Sequence, residues 1–235
     1  MKKNCLLCFL LFFSCHSALA GESLDSLLNV LDKTIKEADT YVQIKENKLH
    51  ELKKEARKTP PFSVERYNLN NDIYLEYKAY SSDSALHYLN ENMLLARQLN
   101  DKERELKIQL ELSYLLSSIG MYMEAADILN SIDRQTLPSS LLGHYYTCYE
   151  HVYFEAGAAQ PRYKMFASRY VKLSHAYRDS MQITLDPSSA TYLWLRETQL
   201  REAGKYDEAL EFSDRRLAES SFGTPQYALV AYQRF

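Results

Sequence analysis

The chain has 235 residues, of which 46% are hydrophobic and only 6 are Gly and 6 Pro. So few turn-forming residues exclude a many-stranded sandwich, while 19 Tyr and 9 Phe carry too much surface to bury for a disordered chain. The formal net charge of −3 argues against a nucleic-acid-binding module, which is ordinarily basic.

Residues 1–20 read as an export signal. Lys2 and Lys3 form a positive start, an apolar run extends from Cys5 to Phe13, and Ala18-Leu19-Ala20 places small residues before Gly21. Cleavage after Ala20 takes two of the 28 basic residues, leaving 26 against 31 acidic and a net charge of −5. It also removes Cys5, Cys8 and Cys15, so the exported chain keeps Cys148 alone and draws its stability from packing. A second reading is a lipoprotein signal with Cys15 as the lipidated residue, against which Phe12-Phe13-Ser14 is a poor match. The expected location is the periplasm or the periplasmic face of the inner membrane. After residue 20 no stretch has the roughly eighteen uninterrupted apolar residues of a membrane span.

Residues 21–60 are expected to form one long helix. From Glu22 to Thr59 there is no Gly or Pro, and Ser23 can cap the start. Leu24, Leu28, Leu31, Ile35, Ala38, Val42, Lys45, Leu49, Leu52 and Ala56 alternate in steps of four and three, a heptad seam. That seam suits either a helix lying along the first hairpin or a homodimer formed through this helix. Thr59-Pro60-Pro61 ends it, because proline removes a donor and restricts the residue before it.

Residues 61–235 form a second, tyrosine-rich region. Helical patterns are predicted over 63–80, 84–99, 102–119, 123–132, 139–156, 162–185, 188–203 and 206–220, with another starting at Thr224-Pro225. Punctuation falls at Ser81-Ser82-Asp83, Asn100-Asp101, Gly120, Leu137-Pro138, Gly157, Asp186-Pro187 and Gly204. Short links between long helices give antiparallel neighbours, hence four hairpins in series.

Two of these links repeat. Gly120-Met121-Tyr122-Met123-Glu124-Ala125 and Gly204-Lys205-Tyr206-Asp207-Glu208-Ala209 each follow one amphipathic helix and open another. Gly120 and Gly204 permit the tight turn, Tyr122 and Tyr206 are expected to pack into the corner, and Ala125 and Ala209 let the second helix approach the first. This resembles the tetratricopeptide repeat, and the resemblance implies an all-α solenoid of antiparallel hairpins that binds proteins or peptides. Ser82-Asp83-Ser84-Ala85 is similar to a degenerate third copy, with Leu89 four residues beyond its Ala, as Leu129 is beyond Ala125. The pattern departs from the family where Phe212 falls one position early, and the hairpin expected to turn at Gly157 lacks the motif. Steps of 40 residues from Ala85 to Ala125 and 84 from Ala125 to Ala209 exceed multiples of the usual unit.

The chain also resembles the N-terminal extracytoplasmic part of a Bacteroidetes family of membrane-spanning regulators. The matching features are the signal sequence, Leu24-Asp25-Ser26-Leu27-Leu28, the Lys/Glu-rich helix and Tyr74-Leu75-Glu76-Tyr77-Lys78. The resemblance implies a sensing or scaffolding role, contact with the membrane only through a region beyond Phe235, and a repeat array truncated at its C-terminal end. The alternative is a free periplasmic or lipid-anchored adaptor for protein assembly.

No nucleophile elbow, phosphate loop, zincin motif or paired-cysteine zinc spacing is present, so no catalytic residues, cofactor or metal are assigned. His144, Cys148, His151 and Glu155 fall on one helical face, where adjacent pairs could share a metal ion, His144, His151 and Glu155 could serve a hydrolase, or the face could belong to the tyrosine-rich core beside Tyr145, Tyr149 and Val152. His144 and His151 stand about 10 Å apart along the axis, too far for all four to share one ion. A tyrosine ladder follows: Tyr145, Tyr146, Tyr149 and Tyr153, then Tyr163, Tyr170 and Tyr177 at seven-residue steps. Most of its rings are expected in the core. Tyr145, Tyr149, Tyr163 and Tyr170 with Arg169 are the candidate groove set, and Arg162, Lys164, Arg169 and Lys172 suit either an acidic peptide or carboxylated glycan or an ordinary solvated face.

Overall fold

The computed structural model describes residues 32, 35–159, 162–221 and 224–233. The expected signal sequence and the seam positions Leu24, Leu28 and Leu31 lie outside them. The chain divides into two compact units, the first ending at Glu55 and the second beginning at Ala56.

Among the described residues of the first unit the backbone is helical, with a turn at Glu37 that interrupts the single helix expected over 21–60. Helix α1 (Ala38–Lys58) follows, and its last turn opens the second unit. Asp39 in the first turn and Arg57 and Lys58 in the last complement the helix dipole. Of the heptad seam, Leu49 and Ala56 are buried while Ile35 and Val42 are exposed.

The second unit continues with α2 (Val64–Tyr77), α3 (Ser82–Gln98), α4 (Lys102–Ser118), α5 (Tyr122–Ser131), α6 (Ser139–Ala158), α7 (Lys164–Thr184), α8 (Ala190–Glu202), α9 (Tyr206–Ala218) and α10 (Pro225–Gln233). No strand occurs among the described residues. Side-chain caps fix where several helices begin. Ser63 Oγ accepts from Arg66 N (3.1 Å), Asp101 Oδ1 from Arg104 N (2.9 Å) and Ser189 Oγ from Tyr192 N (3.2 Å). Each of these bonds satisfies an orphan donor of the first turn.

Helix ends are set as sharply as starts. Asn100, Gly120 and Gly204 take positive φ of 51°, 89° and 73°. At each the next N–H reaches back to a carbonyl of the preceding turn: Asp101 to Ala96, Met121 to Leu116 and Lys205 to Leu200, all at 2.9 Å. These are left-handed helix stops in which a side chain's Cβ would crowd the following carbonyl, hence glycine twice and asparagine once.

Helices pack in the pairs α2–α3, α4–α5, α6–α7 and α8–α9, and each pair abuts the next in chain order. Ala85, Ala125 and Ala209 are buried at the start of the second helix of three pairs, the close approach expected of them. Leu89 and Leu129 fill the site one turn on, and in the fourth pair α9 keeps the same register and buries Ser213 there. Phe212 is only half-buried, with the Arg215 guanidinium 5.6 Å from its ring centroid.

Gly157 is not a turn: it lies inside α6, where a Cβ would meet Tyr170 Cβ at 3.4 Å. At the other end of α6 a Cβ on Gly143 would meet Leu185 Cδ2 at 2.7 Å. The start of α6 thus lies against the end of α7 and the reverse, so the pair is antiparallel and closely packed. Between them run the tyrosines. Tyr149 stacks on Tyr177 with centroids 4.7 Å apart and planes 4° apart, and Tyr153 stacks on both Tyr177 (5.7 Å) and Tyr170 (6.2 Å). Tyr145, Tyr149, Cys148 and Val152 join Leu110, Leu129, Met181 and Leu195 in one apolar cluster.

Candidate functional site

The first helices of successive pairs supply one face of the second unit. Among these helices α4 and α6 pack together closely, whereas no described Cα of α6 comes within 8 Å of one in α8, nor one of α8 within that distance of α10. Side chains rather than backbone line the space so left, and a groove of about 540 Å³ opens there. Its wall carries Lys78 at the end of α2, Tyr114 of α4, and His144, Thr147, His151, Phe154 and Glu155 of α6. Trp194 of α8, Arg216 of α9, and Leu229 and Gln233 of α10 complete it.

At the α2–α4–α6 end, the lining residues Lys78 and His144 join a polar network centred on Glu111 behind the wall. Tyr74 Oη donates to Glu111 Oε2 at 2.6 Å, Lys78 Nζ donates to the same oxygen at 3.1 Å, and His144 Nε2 lies 3.7 Å from Oε1. Burial alone would push the Glu111 carboxyl up, but Lys78, His144 and the donated hydrogen bonds outweigh it and hold the group below its ordinary value. Burial, then the Glu111 charge, drives the Tyr74 hydroxyl far up, so it stays a donor.

Lys78 Nζ also sits 4.4 Å from the Tyr114 ring centroid, and that ring stacks on His151 at 4.0 Å with planes 9° apart. The Ser118 hydroxyl donates to Tyr114 O (2.9 Å) and lies 2.9 Å from His151 Nε2. On the other side of the ring His151 Nδ1 faces Glu155 Oε1 4.0 Å away, so Ser118 and Glu155 flank the two imidazole nitrogens. Burial, then the Lys78 charge, pushes the His151 imidazole down to about 4, so it is neutral at pH 7.

The opposite end is built on two buried ion pairs with the same plan. Arg178 of α7 donates from Nε to Glu150 Oε1 of α6 (2.8 Å) and from Nη1 to Glu202 Oε1 of α8 (2.7 Å). Arg216 of α9 donates from Nη1 to Glu197 Oε2 of α8 and from Nη2 to Gln233 Oε1 of α10 (2.8 Å). In both, a second-helix arginine binds the carboxylate of its own hairpin and an acceptor on the next first helix. Ser174 and Arg201 complete the carboxylates' hydrogen bonds, as buried charges require.

The predicted site residues fall differently. His144 and His151 do line the groove, but Cys148 is fully buried and its Sγ donates to Leu110 O at 3.3 Å, with burial pushing the thiol well up. The three point at separate partners, and no group of three or more His, Cys, Asp or Glu that could hold a metal occurs among the described residues.

The candidate groove set is corrected. Tyr145 and Tyr149 are core, the latter donating to Asn130 Oδ1 at 2.9 Å; Tyr170 is half-buried against Tyr153; Tyr163, just before α7, and Arg169 on it are exposed and do not line the groove. The reason is angular. On α6 the positions 145, 149 and 152 face α7, whereas 144, 147, 151 and 154 are turned toward the groove. Tyr206 is also corrected: it is 67% exposed, because as the first residue of α9 it projects from the helix end instead of filling the corner. Tyr122, first in α5, is half-buried.

Sequence reasoning missed Lys78, Tyr114, Trp194, Arg216 and Leu229. The signal for them is the row His144, Thr147, His151, Phe154, a polar and aromatic stripe opposite the tyrosine face of α6.

A family model described as the SusR N-terminal TPR domain matches residues 35–235. Among curated proteins none matches the chain. The matched span covers nearly every described residue, and its hairpin order, buried alanines and left-handed glycine turns are those of a tetratricopeptide array, a typically non-catalytic protein-interaction fold. The chain belongs to the SusR N-terminal TPR domain family.

Proposed function

We propose that the groove between α4, α6, α8 and α10 holds a segment of a protein or peptide ligand, and that the domain is the sensing or scaffolding part of a membrane-bound regulator, exported and acting on the periplasmic side. The observation that carries the binding reading is the groove itself. At about 540 Å³ it lies inside the usual size range of ligand clefts, roughly 300–1,000 Å³. Its wall combines rigid aromatic area at Tyr114, Phe154 and Trp194 with separated polar groups at Lys78, Thr147, His151 and Gln233. Aromatic faces supply contact at small entropic cost, and the polar groups fix orientation. The regulator reading is supported by the family match and by the export signal read from residues 1–20.

Trp194 is the only tryptophan of the chain and lines the groove, so its emission reports occupancy. Peptides selected from a random displayed library on the full chain are expected to shift Trp194 fluorescence, and Thr147→Arg, which fills the groove from α6, is expected to abolish both shift and binding. Selected peptides that bind while leaving the emission and the Thr147→Arg variant unaffected would place the interaction surface elsewhere. In cells carrying a longer regulator, deletion of the repeats with unchanged output would end the sensing role.

A further inference from the structure

The N-terminal half of α7 carries charge and exposed apolar area that neither the core nor the groove uses. Between Glu155 and Asp179 the sequence has no acidic residue and five basic ones, in a chain whose net charge is −3. Arg178 turns inward to Glu150 and Glu202. Arg162, Lys164, Arg169 and Lys172 are all exposed, and none of the four makes an ion pair or side-chain hydrogen bond among the described residues.

The apolar residues between them are equally outward. Met165 is 75% exposed, Tyr163 65%, and Phe166 and Val171 each 45%. Met165, Arg169 and Lys172 share one face at steps of four and three, opposite the buried Ser174, Arg178 and Met181. Over about 12 Å of helix axis, cations and apolar side chains thus alternate on an exposed face of α7, which among the described helices contacts only α6 and α8.

We propose that this face docks on an anionic phospholipid surface. Lysine and arginine would meet the phosphates, while Met165, Phe166 and Tyr163 enter the headgroup–acyl boundary, as the basic and apolar faces of interfacial helices do. An acidic polypeptide could satisfy the four cations, but it would leave Met165 and Phe166 unused, and the outer face of a single helix offers no slot for an extended chain. Lipid accounts for both halves of the observation.

The test is flotation of the full chain with vesicles of phosphatidylglycerol and phosphatidylcholine in equal parts, against phosphatidylcholine alone. Hydrogen exchange on the same samples locates the contact, and retention through residues 5–13 is common to all variants and cancels. The proposal expects binding to anionic vesicles that weakens with added salt, with slowed exchange at residues 162–172. Near an anionic surface each cation contributes about fivefold in partitioning. The variant with Arg162, Lys164, Arg169 and Lys172 all replaced by Gln is therefore expected to lose up to about six hundredfold if all four cations reach the surface, and about fivefold for each one that does. Met165→Ser with Phe166→Ser is expected to weaken binding without changing its salt dependence. All six positions are exposed, and an unchanged helical circular-dichroism spectrum confirms folding. Equal partitioning of wild type and the four-Gln variant, or unaltered exchange at 162–172, overturns the proposal. So does protection of these residues by poly-glutamate but not by anionic vesicles, which would make the face an acidic-protein interface.

Discussion

Acid should weaken this fold through His151 before its carboxylates titrate. An unfolded histidine titrates near 6.5, whereas burial and the nearby Lys78 charge bring folded His151 down to about 4. The folded pKa is the lower one, so between these values the unfolded chain binds more protons. Stability is then complete above about pH 6.5 and falls as pH drops toward 4. At 1.36 kcal/mol per pKa unit, His151 alone costs about 2 kcal/mol at pH 5 and about 3 kcal/mol near pH 4. This is a large share of a stability that is typically about 5–15 kcal/mol. His144 is held below its ordinary value by burial and adds in the same direction. Glu111 is also depressed, but its contribution is lost only below the ordinary carboxylate range, outside the upper part of this window. Urea unfolding followed by circular dichroism at stepped pH values measures the slope. His151→Gln keeps a hydrogen-bonding group near Ser118 and cannot titrate, so its loss between neutrality and about pH 5 should be smaller than wild type by about 2 kcal/mol. Parallel pH profiles for the two proteins would refute the assignment.

Gly120→Ala and Gly204→Ala meet no atom within 4 Å, so each should cost only the left-handed backbone term, about 1 kcal/mol by denaturant midpoint, while Asn100→Gly should be neutral or stabilising. Gly143→Ala tests the opposite balance. Helix propensity favours Ala by about 1 kcal/mol, but the new Cβ would press on Leu185 Cδ2 at 2.7 Å and Thr184 O at 3.3 Å, so a net loss of about 1 kcal/mol is expected. Arg178→Met leaves Glu150 charged, buried and unpaired and should cost about 3–5 kcal/mol, most of it recovered in the double variant with Glu150→Leu; equal stability of single and double variants would count against the pair. Ser213→Ala removes a buried hydroxyl that has no hydrogen-bond partner among the described residues and should stabilise by roughly 1 kcal/mol in the same assay.

The helices of the second unit were readable because local signals agree there. Gly120 and Gly204 stop helices where their φ requires it, Ser63, Asp101 and Ser189 start them, and Ala125 and Ala209 mark contact faces. The predicted bounds of α4 and α5 fall within one residue of those observed. The groove was not readable from the same cues. Tyrosine composition drew attention to the α6–α7 interface, although a ring suited to recognition is equally suited to packing, and only the rotation of α6 against α4 and α7 decides which face is buried. Lys78, Trp194 and Arg216 lie 33, 43 and 65 residues or more from Glu111, His151 and His151 in sequence, and no local period links them. Gly157 shows a related ambiguity, since a turn and a close helix contact both call for a residue without Cβ.

The paired arginines also bear on how the array comes apart. Were each hairpin held only by its own apolar contacts, fraying could travel inward one hairpin at a time, as in a chain of weakly coupled units. Arg178 and Arg216 oppose this, because detaching the following helix strips one acceptor from a guanidinium that stays buried against its own carboxylate. The α6–α10 segment is thereby welded into one melting block, and since Arg216 is also part of the groove wall, an occupant reaching it touches the joint between the α8–α9 pair and α10.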